Sequence, residues 1–190
     1  MTVAKGPRVF VKSAGATTAA GRRSRAALPA QRVRDIVHHT VKRAAPDVIG
    51  DVVVLLTDDA NVRRLNKRFR DIDSATDVLA FPLTDGLAEG EPFGDVVISC
   101  QTAVRQARSY GAALSDELAR LLIHGALHLC GFDHHERKEA ARMFALARRL
   151  LDEVAPTART RVSRPRSRRK SRDPEKGRAS ASKRRRTPHA

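Results

Sequence analysis

A chain of 190 residues carrying a formal net charge of +16 has room for one domain and terminal extensions. The charge is uneven: residues 156–190 hold 14 Lys/Arg against 2 acidic residues, residues 1–26 hold 6 Lys/Arg and no acid, and the stretch between is slightly acidic. Two cysteines, Cys100 and Cys130, exclude a disulfide framework and suit a reducing compartment, and no apolar run reaches the roughly 18–20 residues of a membrane span.

Residues 1–7 read as an N-terminal extension, and the domain is expected over 8–155. The N-terminus lacks the continuous apolar centre of a signal peptide. It is rich in Ala, Arg and Ser and free of acid, as organelle transit peptides are. Arg8-Val-Phe-Val-Lys12 predicts a first strand. Val33, Ile36, Val37, Val41 and Ala44 recur at helical spacing, so a helix is expected over about 30–45, stopped by Pro46. Asp51-Val-Val-Val-Leu-Leu56 reads as a buried strand. Asp58 and Asp59 open a helix with Val62, Leu65 and Phe69 on its inner face. Asp71 to Asp77 is loop-like, Val78 to Phe81 is a short strand stopped by Pro82, and 83–94 reads as a loop.

Asp95 to Ser99 is a further strand, followed by a helix near 101–110. Ser115 is the expected cap of the next helix, with Asp116 and Glu117 in its first turn. Leu118, Leu121, Leu122, Ile123, Leu127 and Leu129 surround that helix almost completely, which marks it as central. A last helix, about 137–152, places Met143, Phe144, Ala147, Leu150 and Leu151 at core spacing, and Pro156 opens the tail. The order β-α-β-α-β-β-α-α-α predicts an α+β domain with one small mixed sheet packed by helices.

The central helix carries the chemistry. His124, His128 and His134 stand at offsets 0, 4 and 10, with Gly131 at offset 7. This is the spacing of the extended zincin motif H-E-x-x-H-x-x-G-x-x-H. Residues four apart share one face of a helix. Gly131 can leave the helix in the left-handed conformation, so that His134 returns to meet the other two. Three imidazoles with an open fourth position describe a catalytic zinc, one per chain. The glutamate that serves zincin proteases as general base is absent: Gly125 takes its place. His135 directly follows His134 and could substitute for it, although offset 10 favours His134. Cys130, at offset 6, is expected to point away from the metal.

The tail, 156–190, has almost no large apolar residue and is expected to be a disordered polycation. Arg168, Arg169 and Lys170 lie in its densest run and are candidates for RNA binding through counterion release. A solubilising extension with no dedicated partner is the plainer reading.

The motif His124-Gly-x-Leu-His-Leu-x-Gly-x-Asp-His134 resembles the signature of the YbeY family of bacterial rRNA maturation factors. Leu65-Asn66-Lys-Arg-Phe69-Arg70 resembles the family's Leu-Asn-x-x-aromatic-Arg. Thr76-Asp-Val-Leu-Ala-Phe-Pro82 resembles its Thr-Asp-Val-Leu-Ser-Phe-Pro, and Gly94-Asp-Val-Val-Ile98 its strand. The resemblance spans about 8–152. Ala80 stands where the family has serine, and Ser74-Ala75 where it often has Lys-Pro. The tail has no counterpart.

The resemblance implies a cytoplasmic, single-strand-specific endoribonuclease with one zinc on the three histidines. It would mature ribosomal RNA, notably the 3′ end of the small-subunit RNA, and serve ribosome quality control, with ribosomal RNA and the small subunit as partners. It assigns a functional role to Arg70, placed with His124 in the catalytic set. Phosphodiester cleavage needs a cation for the developing charge, which suits an arginine; from the residues alone, Arg70 reads as a surface arginine at a helix end. Asp77 and Asp133 could orient a histidine from behind or simply cap turns. Two other functions use the same residues: a non-catalytic ribosome-assembly factor stabilised by zinc, and a metallopeptidase, which Gly125 argues against.

Overall fold

The computed structural model describes residues 6–14 and 18–154. The basic tail, with Arg168, Arg169 and Lys170, lies outside the described residues. In chain order the elements are β1 (Val9–Ser13), α1 (Ala19–Ala27), α2 (Ala30–Ala44), β2 (Asp51–Thr57), α3 (Asp59–Arg70), β3 (Val78–Pro82), β4 (Pro92–Ser99), α4 (Cys100–Ser109), α5 (Leu114–Leu129) and α6 (Arg137–Val154). The four strands form one sheet in the order β1-β2-β4-β3. β1 pairs with β2 and β2 with β4 in parallel, while β3 runs antiparallel to β4. The domain is therefore α+β with a mixed sheet. Among the described residues no helix is long and apolar enough to cross a membrane.

Strand alternation gives the sheet two unequal faces. Val52, Val54 and Leu56 of β2 with Val96 and Ile98 of β4 join the main core, shared with α2 and α5. Leu55, Leu79, Val97 and Phe81 turn the other way, toward Val62 and Leu65 of α3. α5 lies at the centre of the main core: Leu118, Leu121, Leu122, Ile123, Ala126 and Leu127 are all essentially inaccessible to solvent. Each such leucine stabilises the fold by roughly 1.5–3 kcal/mol over its exposed form. The metal-motif helix is thus firmly held by the core.

Four local expectations are corrected. α1 was not expected, because it buries only Gly21 and Ser24; small residues leave no apolar period to read. Thr18 caps it, accepting from the Gly21 N–H at 3.1 Å. β4 begins at Pro92, not Asp95. The loop-like Gly94 is needed for packing: a Cβ there would lie 2.7 Å from Leu129 Cδ2 and 2.8 Å from the Phe81 carbonyl oxygen. α5 begins at Leu114, with Ala113 as an N-cap that has no side-chain bond, so Ser115 lies inside the helix. Phe69 and Phe144, placed in the core by their spacing, are 57% and 55% exposed.

Candidate metal centre

His124 and His128 project from the last two turns of α5. The chain leaves that helix at Gly131, whose φ is 81°. Its N–H donates to the His128 carbonyl, and that of Phe132 reaches back to the Leu127 carbonyl, both at 3.1 Å. This left-handed exit is open to glycine at little cost. The reversal brings His134 back, its ring centroid 5.5 Å from that of His124 and 5.1 Å from that of His128. One nitrogen from each ring lies within 4.8 Å of the others, and the Nε2 atoms of His124 and His128 are 3.2 Å apart. Asp133 accepts a hydrogen bond from the His134 backbone N–H at 2.6 Å. Phe144 of α6 stacks on the His134 ring at 6.1 Å.

The electrostatics suit metal ligands, which must be deprotonated. Burial, then the neighbouring His128, His134 and Arg120, pushes His124 down to about 4. Burial and His134 lower His128 as well. The donor set fits a borderline metal such as zinc: three imidazoles and, among the described residues, no fourth protein ligand. Cys130 is half-buried, is raised to about 12 by burial, and is not part of the convergent set. His135 is exposed and pairs with Asp133 at 3.3 Å. The histidines open instead onto a cavity of about 560 Å³, which Arg70, Thr76, Asp77 and Gly125 also line. Three ligands facing open space are the form of a catalytic site.

Arg70, the last residue of α3, pairs with no carboxylate among the described residues. Its helix is held at both ends. At the start, Asp58 caps Asn61 N–H at 2.8 Å. Asp59 accepts hydrogen bonds from Ser99, and from Thr102 and Arg105 at 2.8 Å each. At the end, Asp71 adopts a left-handed conformation with φ 57°, which aspartate tolerates better than most residues. The buried Asn66 then donates to the Ser74 carbonyl at 2.8 Å, and Asp73 pairs with Arg63 and Lys67. The loop between Arg70 and β3 is thereby pinned back onto α3, which places Arg70 at the cavity.

Asp77 lines the cavity, but its hydrogen-bond partners are the Val78 N–H, Thr76 and Gln106. It secures the turn into β3, and it acts on His124 only through its charge. Burial pushes its carboxyl up, but the bonds from Gln106, Val78 and Thr76 outweigh this and lower it. Asp133 acts on the backbone of His134 and through its charge on His128. Sequence reasoning missed the group behind them. Arg120, one turn before His124, is gripped by buried Glu117 at 2.6 and 3.0 Å and stands 3.6 Å from Asp77. The Arg120-His124-His128 spacing of four was the available signal. Phe144 carried none beyond helical periodicity, and Asn66 only its place in the Leu65-Asn66-Lys-Arg-Phe69-Arg70 block.

The family model described as "Endoribonuclease YbeY" matches residues 20–155. A relative of that name from Myxococcus xanthus is 52% identical over 101 residues, which cover 52% of this chain and 34% of the relative. One from Heliobacterium modesticaldum is 40% identical over 112 residues, 53% of this chain and 68% of the relative. One from Chelativorans is 40% identical over 135 residues, 67% and 83%. The chain thus spans about a third of the length of the Myxococcus relative and more of the others. The solution structure of TM1509 from Thermotoga maritima superposes with a TM-score of 0.51 at 28% identity, covering 77% of this chain and 88% of that one.

Proposed function

The chain belongs to the YbeY family, and from that premise we propose that it is a zinc-dependent endoribonuclease that cleaves single-stranded RNA. The observation that carries this is the set of three convergent imidazoles opening onto a cavity that Arg70 also lines. We place its work in ribosomal RNA maturation, at the 3′ end of the small-subunit RNA, and in ribosome quality control in the cytoplasm.

His124, His128 and His134 would hold the zinc. When bound there, zinc supplies Lewis acidity and lowers the pKa of a water toward about 7. The chain's own groups do the rest. Arg70 binds the scissile phosphate with a planar fork of donors and offsets the charge that develops on its equatorial oxygens. Asp133 fixes the backbone of His134. The Glu117–Arg120–Asp77 chain stiffens the wall behind His124, so the imidazole is oriented before substrate arrives. Gly125 brings no carboxylate, so the site lacks the base that a peptidase would use.

A structural zinc would call for a fourth protein ligand, and Cys130 and His135 both lie outside the convergent set. The test is cleavage of an unstructured RNA by the metal-replete full chain. Wild type should cut RNA and leave casein intact, and His128→Ala should cut neither. Casein cleavage that depends on His128 would overturn the nuclease reading.

A further inference from the structure

The sheet face turned away from the metal is incompletely covered by α3. Between the last turn of α3 and strand β3 lies a groove of about 630 Å³, walled by Phe69, Phe81, Leu83 and Val97. Ala80 lines both this groove and the metal cavity, so the two adjoin along β3. Phe69 is 57% exposed and stands beside Arg70 in the chain. Its ring packs against Phe81 at 5.1 Å, and the Arg68 guanidinium lies over it at 5.3 Å. Arg68 has no carboxylate partner among the described residues. At the polar end, Lys12 and Asp95 border the groove.

We infer that this groove is the subsite for an unpaired nucleotide next to the scissile phosphate, its base resting on Phe69 and its phosphate on Arg68. The inference rests on the RNA-cleaving reading and deepens it. Three features favour a nucleobase as the occupant. An exposed aromatic ring flanked by an arginine is the pattern that stacks single-stranded bases. The cationic rim, Arg68 and Lys12, suits a phosphodiester chain. The groove and the cavity that Arg70 lines meet at Ala80 of the edge strand β3, so one strand can pass over that edge from one to the other. Asp95 fits an occupant that presents an exocyclic amine, because a carboxylate accepts from such a donor. Paired bases keep their faces inside the helix, so Phe69 would select single strands before any bond is cut.

The experiment measures binding of the full-length protein to an unstructured RNA oligonucleotide, without added metal and at about 200 mM salt, where the polyelectrolyte contribution falls. Phe69→Ala should weaken binding about ten-fold or more, the scale of one lost stacked base. Phe69→Leu should lose nearly as much, and Phe69→Tyr should bind like wild type. Duplex RNA, and an oligonucleotide with abasic positions, should bind equally to all four proteins. Thermal unfolding controls for the lost Phe81 contact, and Phe69→Tyr keeps the ring pair if Phe69→Ala is unstable. Wild-type affinity in both Phe69→Ala and Phe69→Leu would overturn the inference. An equal loss on abasic RNA would overturn it too. Intact RNA binding with lost capture of a protein partner would make the groove a protein-docking surface instead. Failure of the metal-loaded protein to cut RNA would remove the nuclease reading alone, since the binding comparison involves no cleavage.

Discussion

Gly125 lies so close to Val96 that a Cβ on it would stand 2.7 Å from Val96 Cγ1 and 3.1 Å from Val78 Cγ2. The residue after His124 therefore faces the sheet. Val96 is fully buried and β-branched, with little freedom to move aside. A zincin glutamate has no room here, so its absence is a packing requirement of the fold as well as a statement about chemistry.

Gly125→Ala is expected to destabilise the protein by about 1–3 kcal/mol through overpacking, and Gly125→Glu by more. Neither should acquire peptidase activity. Denaturant unfolding checks the first expectation and a casein assay the second; a stable Gly125→Glu protein would show that α5 can shift away from β4.

One metal ion per chain is expected, and removing any one histidine should release it. The three nitrogens converge within 4.8 Å, and two remaining imidazoles are a weak site for zinc. Metal analysis after gel filtration of His124→Ala, His128→Ala and His134→Ala reads this directly. Full occupancy in any of the three would remove that residue from the ligand set.

Arg70→Ala should keep its metal and lose RNA cleavage by about 10²-fold or more, the scale of one lost charge stabiliser. Arg70→Lys should recover only part of the rate, because an ammonium lacks the planar fork. Cleavage at the wild-type rate by Arg70→Ala would leave the residue as an ordinary helix end.

Asp59 ties the start of α3 to Ser99 and α4. Burial raises its carboxyl, but the hydrogen bonds from Ser99, Arg105 and Thr102 outweigh that and hold it below the usual carboxylate range. A depressed folded pKa means that the stabilisation is present above the unfolded value and fades as pH falls through the folded one. Asp59→Asn should therefore cost stability at pH 7, on the order of 1.5–3 kcal/mol for bonds to a charged group. The gap from wild type should narrow below about pH 4. A gap that is constant with pH would mean that the charge contributes nothing.

The basic tail, 14 Lys/Arg in residues 156–190, is expected to strengthen RNA binding in a salt-dependent way. Neutralising Arg168, Arg169 and Lys170 together should raise KM at about 50 mM salt, less so at 200 mM, and leave kcat unchanged. An unchanged KM at low salt would make the tail a solubilising extension, and a large fall in kcat would give it a part in positioning RNA.

Local patterns determined much of this protein. The 0, 4, 10 histidine spacing brought out three side chains whose nitrogens converge, because helix pitch fixes which residues share a face, and Gly131 marked the turn that returns His134. Apolar periodicity likewise announced α5 as the central helix. Tertiary structure decided what depends on neighbours distant in the chain. α1 escaped notice because its buried face is only glycine and serine, and the first residues of β4, 92–94, looked like a loop until Gly94 met Leu129. Phe69 and Phe144 had core spacing, yet their burial depended on what faces them: one edges an open groove, and the other stacks on His134. Asp77 had no legible partner, because Gln106 of α4 and Arg120 of α5 meet it only once those helices pack beside β3, whereas Glu117 grips Arg120 within α5 itself. A helix can be read from its own residues, whereas a charge buried between elements takes its role from the element it meets.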